Sequence, residues 1–360
     1  MILLGDIASP KKSYSSTVQK IFNANREIFF GKKIICNFEG LVYDGVEIKL
    51  NEPVLYNHSS ILKVLNPDQR SILCLANNHI LDLPGQFSSS IQILRNEGFL
   101  YCGAGFSRTE AENLLEFKEN NISFAIFNAC WDFLLYNHRN PRHGIYVATL
   151  QEQKLVDRIK KYREANPYTR IMVYLHWSLD LETLPFPMYR QFSKAIIDAG
   201  CNLVIGAHAH CVQGGEKYGN GYILYGLGNF FIPDHYYAGG NLHFPDFAKL
   251  ELALEWDFTR DKIMCHWFKS DKINNLDSII YLKSEDFENS QQLKELSPFA
   301  GMTDEEYIKY FKKYRRKKIL IPVYTDFRKR FRNRFYTIVL KSRARTARFL
   351  ARIKLISWQN

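Results

Sequence analysis

Two histidines separated by a single residue, His208 and His210, follow the apolar run 203–205. The run predicts a buried strand, which we expect to end at Gly206, where the freedom of glycine permits a sharp exit. Imidazole nitrogens are good ligands for Mn, Fe, Zn or Ni. On an irregular loop the two rings could face two neighbouring points and serve two metal ions. The alternative is a pair of loop histidines with ordinary hydrogen bonds.

Candidate ligands also follow four other predicted strands. Each is a carboxylate, amide or imidazole located where an apolar run ends, the position at which α/β proteins gather functional groups. Any one of them has an ordinary explanation, because an Asp at a strand end is also typical of a turn or a helix N-cap. These four candidates are Asp6, Glu39, Asn78 and His176.

The elements that must position these residues alternate along the chain. Short apolar runs predict strands at 2–4, 33–36, 71–76, 122–128, 170–175, 203–205 and 222–225. Amphipathic stretches predict helices at 15–28, 86–96, 151–165 and 188–199, and the segment 248–269 predicts a β-hairpin. This order predicts an α/β layered architecture with function gathered at strand ends.

Length and composition indicate a globular protein. The 360 residues, 46% hydrophobic and 14% aromatic, suffice for one large domain with a tail or for two domains. The sequence has no run of eighteen apolar residues, so we expect no transmembrane helix. It also has no basic leader, so we expect no signal peptide. Seven dispersed cysteines without a Cys-x-x-Cys motif are typical of small core residues in a reducing compartment and argue against a Cys-based zinc site.

The net charge of +11 is concentrated in one segment. Residues 309–360 hold 18 of the 48 basic residues and one of the 37 acids, so this tail carries +17 and the rest of the chain −6. We therefore divide the chain into a main domain at 1–275, a linker or helical segment at 276–308, and a basic amphipathic helical tail at 309–360. The apolar positions that recur in the tail are Phe327, Phe331, Phe335, Ile338, Phe349, Leu350, Ile353 and Ile356.

Three partners are compatible with such a tail. A basic amphipathic helix can bind an anionic membrane surface. It can also pack on the acidic body of its own chain or on a protein partner. Nucleic acid is the third partner, since cationic chains release counterions from phosphates when they bind. We favour it least of the three.

Taken together, the strand-end segments resemble the CapA-type branch, linked to poly-γ-glutamate or capsule synthesis, of the calcineurin-like metallophosphoesterase superfamily. The resemblance covers roughly residues 1–235. It is carried by Gly5-Asp6, Asn37-Phe38-Glu39-Gly40, Leu75-Ala76-Asn77-Asn78-His79-Ile80-Leu81-Asp82, His176-Trp177, Gly206-Ala207-His208-Ala209-His210 and Tyr225-Gly226-Leu227-Gly228-Asn229-Phe230. It implies a layered β-sandwich flanked by helices, with a two-metal site on one edge.

The resemblance also implies a role for each residue. Glu39 would bridge the two ions. One ion would be held by Asp6 and His210, and the other by Asn78, His176 and His208. His79 would stand near the leaving group as a general acid or transition-state stabiliser. Four further residues would contact substrate or support the ligands, namely Asn37, Asp82, Asp180 and Asn229. The chain departs from the wider superfamily at Ala8, where a histidine is usual.

Two functions are compatible with these observations. The first is a metal-dependent hydrolase of phosphoester type that uses two divalent ions (Mn, Fe, Zn or Ni) on an anionic small-molecule or polymer substrate, in the synthesis of capsule, polyglutamate or another cell-surface polymer. The second is a non-catalytic assembly factor that the tail recruits to a membrane-associated complex. We expect a cytoplasmic protein, peripheral at the inner face of the membrane if the tail binds lipid.

Overall fold

The computed structural model describes residues 1–48, 50, 53–65, 71–138, 140–273, 276–318 and 321–352. Within these ranges the strands are β1 (Ile2–Ile7), β2 (Ile34–Phe38), β3 (Leu41–Val42), β4 (Tyr56–Asn57), β5 (Ile72–Cys74), β6 (Leu100–Cys102), β7 (Ala104–Gly105), β8 (Leu115–Glu119), β9 (Ile122–Cys130), β10 (Tyr146–Val147), β11 (Arg170–His176), β12 (Leu203–Ala207), β13 (Gly215–Tyr218), β14 (Gly221–Leu224), β15 (Asn229–Phe231), β16 (Leu250–Asp257), β17 (Lys262–Ile273) and β18 (Leu276–Asp286).

The helices between and after these strands begin with recognisable local signals. Pro187 opens α6 at a position where its missing N–H costs nothing, and Thr303 with Glu306 forms a capping box on α8. The helices are α1 (Lys12–Ala24), α2 (Arg26–Phe29), α3 (Phe87–Asn96), α4 (Arg108–Glu112), α5 (Glu152–Ala165), α6 (Pro187–Asp198), α7 (Gln291–Leu296), α8 (Asp304–Tyr314) and α9 (Arg330–Arg352).

Two mixed sheets form the centre of the molecule. The first has the order β18-β17-β16-β1-β2-β5-β6, with β15 also paired to β1, and the second has the order β13-β14-β12-β11-β9-β8. In the first sheet β1, β2, β5, β6 and β15 run parallel, whereas β16 to β18 are antiparallel. In the second, β9, β11, β12 and β14 run parallel.

The sheets pack face to face and are covered by helices on their outer faces. Alternation along β1 shows this arrangement, because successive side chains of a strand point to opposite faces. Leu3 belongs to the layer between the sheets, together with Ile205. Ile2 and Leu4 belong to the outer layer, which includes Phe22 of α1. The layered α/β sandwich predicted from the sequence is confirmed, and the seven cysteines are buried and free as expected.

The predicted linker at 276–308 is wrong at its start. Residues 276–286 form β18, which pairs with β17 in the first sheet, so this segment belongs to the main domain. Side chains from 280 to 284 are exposed, because β18 lies at the edge of the sheet. The strand contains the apolar run 279–282, and the prediction wrongly placed this run in a linker.

The C-terminal helix α9 packs with one face on the body. Leu340 is buried, Tyr336 packs against the core and Lys341 pairs with Asp132. Phe327, which we grouped with the helical positions, precedes α9 and is buried, because it contacts Phe192 of α6. The predicted apolar positions Ile353 and Ile356 lie outside the described residues. Among the helices that the structure describes, none combines the length and hydropathy needed to cross a bilayer.

The expected strand end at Gly206 is also wrong, since this glycine lies inside β12 and pairs with Leu175. The physical reason for glycine is space. A Cβ atom at this position would lie 1.9 Å from the carbonyl oxygen of Tyr225 and 2.3 Å from Nε1 of Trp177. These two groups are joined by a hydrogen bond of 3.0 Å, so neither can move freely.

We predict that Gly206→Ala destabilises the protein by about 1–3 kcal/mol, because overpacking at a rigid site displaces backbone. Urea unfolding of the full chain measures the change. Gly85→Ala is the matched control, because a Cβ there meets nothing within 4 Å, and its effect should stay within about 1 kcal/mol. Equal midpoints for the two variants would contradict the packing argument.

Candidate metal centre

The carboxyl ends of parallel strands from both sheets meet at one edge of the sandwich. In the first sheet Asp6 of β1 is in register with Asn37 of β2 and with Asn229 of β15. In the second sheet His176, the last residue of β11, is in register with Ala207 of β12. Because these strands run in the same direction within each sheet, their ends deliver polar side chains to a common edge.

The segment after β12 leaves the extended conformation immediately. His208 and His210 have φ angles of 84° and 52°, a left-handed region in which only a small share of non-glycine residues is found. The two imidazole centroids lie 5.7 Å apart, and that of His208 lies 4.7 Å from that of His176. The irregular backbone therefore brings into one cluster two rings that a strand would point to opposite sides.

Glu39 lies at the centre of this cluster. Its side chain has no exposed surface, and neither carboxylate oxygen has a hydrogen-bond partner within the described residues. Two groups of possible ligand atoms share it, one with His208 and His210 and the other with Asp6 and His176, each group lying within 4.8 Å. Burial, followed by the negative charge of Asp6, raises the pKa of Glu39 to about 7.

A buried carboxylate without hydrogen bonds is costly unless a cation compensates it. The same cluster contains two more buried polar atoms without a partner among the described residues, Nδ1 of His176 and Nδ1 of His208. Carboxylate and imidazole together form a donor set that suits Mn, Fe, Zn and Ni. The residues present therefore fit a transition-metal centre.

The three histidines of the cluster differ in charge. Burial lowers the pKa of His176 well below its ordinary value, and it lowers the pKa of His208 to about 4. Burial also acts on His210, but the hydrogen bond to Asp6 and the charges of Glu39, Asp6 and Asp180 outweigh it and raise its pKa to about 10. At neutral pH the first two rings are therefore neutral and able to act as ligands, while His210 holds a proton.

The structure brings the other candidate residues into the same cluster. Oδ1 of Asn78 lies 2.7 Å from Nε2 of His176, and Oδ1 of Asp180 lies 3.1 Å from Nε2 of His208. Asn37 donates to Asp6 at 2.7 Å.

Asn229 fixes the remaining ring of the cluster, since its Oδ1 lies 2.7 Å from Nδ1 of His210. All the residues that the sequence singled out at strand ends thus converge. Their roles as ligands or substrate contacts remain predictions.

His79 is held by a chain of hydrogen bonds. Its Nδ1 lies 2.7 Å from Oδ2 of Asp82, whose Oδ1 lies 3.0 Å from Nε2 of His138. Nη1 of Arg142 lies 2.8 Å from Nδ1 of His138. Because arginine can only donate, His138 accepts at Nδ1 and donates to Asp82 from Nε2. Asp82 in turn accepts from Nδ1 of His79, so Nε2 of His79 remains for proton transfer.

Asp82 also sets the charge of His79. Burial lowers the pKa of His79, but the charge and hydrogen bond of Asp82 outweigh this effect, so that the pKa is raised above 6.5. The same interaction, opposing burial, lowers the pKa of Asp82. His79 is therefore held as a proton donor near neutral pH.

Sequence reasoning missed several residues that organise the site. His138 and Arg142 were not among the predicted site residues, yet His138 contacts Asp82 and Arg142 contacts His138. Asn77 accepts the backbone N–H groups of His79 and Ile80 and donates to the carbonyl of Phe38. An Asn before a short helical turn is a usual N-cap signal, which could have identified Asn77. The pairing of His138 with Asp82 had no local signal, because the two are distant in sequence.

Glu182 is a second residue without a local sequence signal. Its carboxylate is buried and accepts the backbone N–H groups of Arg316 and Lys317, at 3.1 and 2.9 Å. It follows Asp180 on the loop after β11, and Leu181 donates to the carbonyl of Ala209 at 2.8 Å. The segment after α8 is thus tied to the loop that carries Asp180.

The fold and the edge cluster define an α/β sandwich with a carboxylate–histidine centre of metal-binding type. Over residues 1–234 the sequence matches the family described as bacterial capsule synthesis protein PGA_cap. The chain belongs to this family, which confirms the predicted CapA-type membership.

Two characterised relatives carry the CapA name. The capsule biosynthesis protein CapA of Bacillus anthracis is 25% identical over 163 residues, which are 44% of this chain and 39% of that protein. The PGA biosynthesis protein CapA of Bacillus subtilis (strain 168) is 26% identical over 237 residues, 63% of this chain and 61% of that protein. The alignments thus span less than two thirds of either relative.

Solved structures with a similar arrangement are more distant. Sulfate thiohydrolase SoxB of Thermus thermophilus has a TM-score of 0.40 at 11% identity, covering 82% of this chain and 47% of that protein. A putative 5'-nucleotidase from Staphylococcus aureus has the same score and identity, covering 83% and 57%. So weak a likeness assigns no activity to this chain.

We predict that Asp82→Asn lowers the pKa of His79, because the charge of Asp82 then no longer opposes the effect of burial. NMR titration of the imidazole in the full chain measures this pKa. Asp326→Asn, which removes a carboxylate outside the site, should leave it in place. An unchanged His79 titration in Asp82→Asn would contradict the proposed hydrogen-bond chain.

The same pair has a pH-dependent effect on stability. Since the pKa of His79 is raised in the folded protein, the ion pair stabilises the fold fully below pH 6.5 and loses this contribution as pH rises through the raised pKa. The stability difference between the protein and Asp82→Asn should therefore shrink with increasing pH.

Proposed function

We propose that the protein is a metal-dependent hydrolase of phosphoester type. The observation that carries this proposal is the buried Glu39 carboxylate, whose two oxygens lack hydrogen bonds within the described residues while imidazoles surround it. A bare carboxylate in such surroundings is destabilising, and a site that keeps one is prepared to receive a cation. The cofactor proposed is two divalent metal ions.

The side chains that would hold the ions are those of the edge cluster. Glu39 would be shared, because it belongs to both groups of possible ligand atoms. The remaining ligands would be Asp6, Asn78, His176, His208 and His210. Bound ions would supply charge neutralisation for an anionic ester and activation of a water nucleophile.

The chain's own residues would position these groups and move the proton. Asn37 orients Asp6, and Asn229 orients His210, so both ligands keep a fixed direction. His79, held by Asp82 with a raised pKa, would give a proton from Nε2 to the leaving group. Each of these residues is supplied by a rigid strand end or a short capped turn.

The substrate class follows from charge and from family. A centre of cations binds anions, so the substrate would be an anionic small molecule or a polymer. The CapA relatives are named for capsule and PGA biosynthesis, which supports a role in the synthesis of a cell-surface polymer. An assembly factor without catalysis would instead not require bound ions at this centre.

We expect the untagged full chain to bind close to two more equivalents of Mn or Zn after reconstitution than the variant that combines Glu39→Gln with His208→Ala. Glu39→Gln combined with His208→Ala should lose them, because it removes the shared carboxylate and one imidazole. Equilibrium dialysis with elemental analysis measures the stoichiometry. A folded protein that binds no ion would contradict the hydrolase proposal and favour the assembly factor.

Proton release provides an independent readout of the same binding. At pH 7 His210 is protonated and Glu39 is about half protonated, given their pKa values of about 10 and about 7. Ligands must lose these protons, so binding at pH 7 should release more than one proton and tighten as pH rises. Calorimetry in buffers of different ionisation enthalpy measures the release, and a value near zero would exclude these two ligands.

We further propose that α9 contacts an anionic membrane surface through its outward face. Phe331, Phe335 and Ile338 of α9 are 93%, 62% and 55% exposed, on a segment rich in arginine and lysine. Exposed aromatic residues between basic ones are typical of helices that lie in a membrane interface. The inward face already packs on the body, so the outward one is available without any rearrangement.

We predict that Phe331→Ser combined with Phe335→Ser weakens binding to phosphatidylglycerol vesicles by at least about tenfold, which is about 1.4 kcal/mol. The apolar side chains, not charge alone, would bury in the interface. Vesicle co-sedimentation at fixed salt measures the affinity. Phe106→Ser, at a residue 49% exposed on the body, is the control. Equal binding by the two variants would contradict this surface.

A further inference from the structure

A second cluster of possible ligands lies on the loop between β15 and β16. The carboxylate of Asp234 has both oxygens 3.1 Å from Nδ1 of His243, and its Oδ2 lies 3.8 Å from Nε2 of His235. The ligand atoms of the three residues all lie within 4.8 Å of one another. The two imidazole rings are stacked at 4.6 Å with an angle of 16°.

The hydrogen bonds of His235 define where its lone pair points. Nδ1 lies 3.2 Å from the carbonyl oxygen of Gly240, which can only accept, so the ring donates there. In the neutral ring Nε2 is then an acceptor that faces the carboxylate of Asp234. A cation between these two acceptors, 3.8 Å apart, would satisfy both of them.

The loop holds these side chains in place by its own contacts. The N–H of His235 donates to the carbonyl of Leu242 at 2.8 Å, and the N–H of Phe244 donates to Oδ1 of Asp234 at 3.0 Å. The hydroxyl of Tyr237, a buried residue, donates to the carbonyl of Tyr56 at 2.7 Å. These contacts hold the two ends of the loop close together, with His235 on one side and His243 on the other.

An adjoining cavity is lined by both acidic and basic side chains. It has a volume of about 270 Å³, and its lining includes the three ligands, the acids Glu251, Asp271 and Asp277, and the two lysines Lys249 and Lys272. Glu251 is 1% exposed, and its Oε2 has no hydrogen-bond partner within the described residues. A second buried oxygen without a partner thus lies beside the cluster, independently of the histidine geometry.

We propose that Asp234, His235 and His243 bind one divalent transition-metal ion, separate from the centre around Glu39. Two imidazoles with one carboxylate suit Zn, Co or Ni. The ion would join the two ends of the loop at its neck. The ring of Phe244 lies 5.6 Å from that of His210. The bound ion would therefore also fix the position of Phe244 beside the main centre.

The test uses the untagged full chain in which Glu39→Gln and His208→Ala disable the main centre, titrated with Co²⁺ alone. We expect one remaining equivalent, seen as visible absorption bands and by dialysis. Adding His235→Asn should remove it or weaken binding at least tenfold. Adding His143→Asn is the matched control, because both residues are exposed histidines with positive φ, 59° and 51°, a conformation that Asn tolerates. The control should keep the equivalent.

Two results would overturn the proposal. One is the absence of any Co²⁺ equivalent in the folded protein with the disabled main centre. The other is equal Co²⁺ binding by the His235→Asn and His143→Asn proteins. His243→Ala is a second test variant, and it must also lose the ion. The proposed hydrolase centre is tested separately, since its equivalents disappear with Glu39 and His208 whether or not the loop binds metal.

Discussion

The buried carboxylate of Glu39 is the constraint on which the rest of the site depends. Its charge lies out of contact with water, and no donor within the described residues compensates it. Such a group persists only where the surrounding backbone cannot relax around it. That rigidity comes from the parallel strands, and from Asn128, which accepts from the N–H of Ala76 and donates to the carbonyl of Tyr174 across the two sheets.

Charge within the cluster is distributed so that few protons must leave. His176 and His208 are neutral because burial disfavours their cations, whereas His210 keeps its proton through Asp6 and the neighbouring acids. One positive ring beside several carboxylates partly offsets the cost of burying them. In the protein without ions, the proton on His210 supplies part of the positive charge that a metal would supply. The same carboxylates that would hold a metal are thereby stabilised.

The parts of the structure that could be predicted are those encoded by local periodicity. Apolar runs identified the buried strands, and their ends identified Asp6, Glu39, Asn78 and His176 as neighbours. The edge strand β18 was missed although it contains the apolar run 279–282, because three of these four side chains are exposed and the flanking residues are polar. Spacing likewise placed Phe327 with α9, although its burial depends on contact with Phe192. Contacts between distant segments, such as His138 with Asp82, have no local pattern at all.

The link between Glu182 and the segment after α8 connects the tail to the site. Two backbone N–H groups, those of Arg316 and Lys317, donate to this buried carboxylate, and hydrogen bonds to a charged group contribute about 1.5–3 kcal/mol each. Displacing the segment would remove two of the hydrogen-bond donors to this carboxylate, which favours the docked position. Glu182 and Asp180 share one loop, and Oδ1 of Asp180 lies 3.1 Å from Nε2 of His208. The start of the basic C-terminal region is therefore tied to the loop that carries Asp180, although its sequence indicates an appendage.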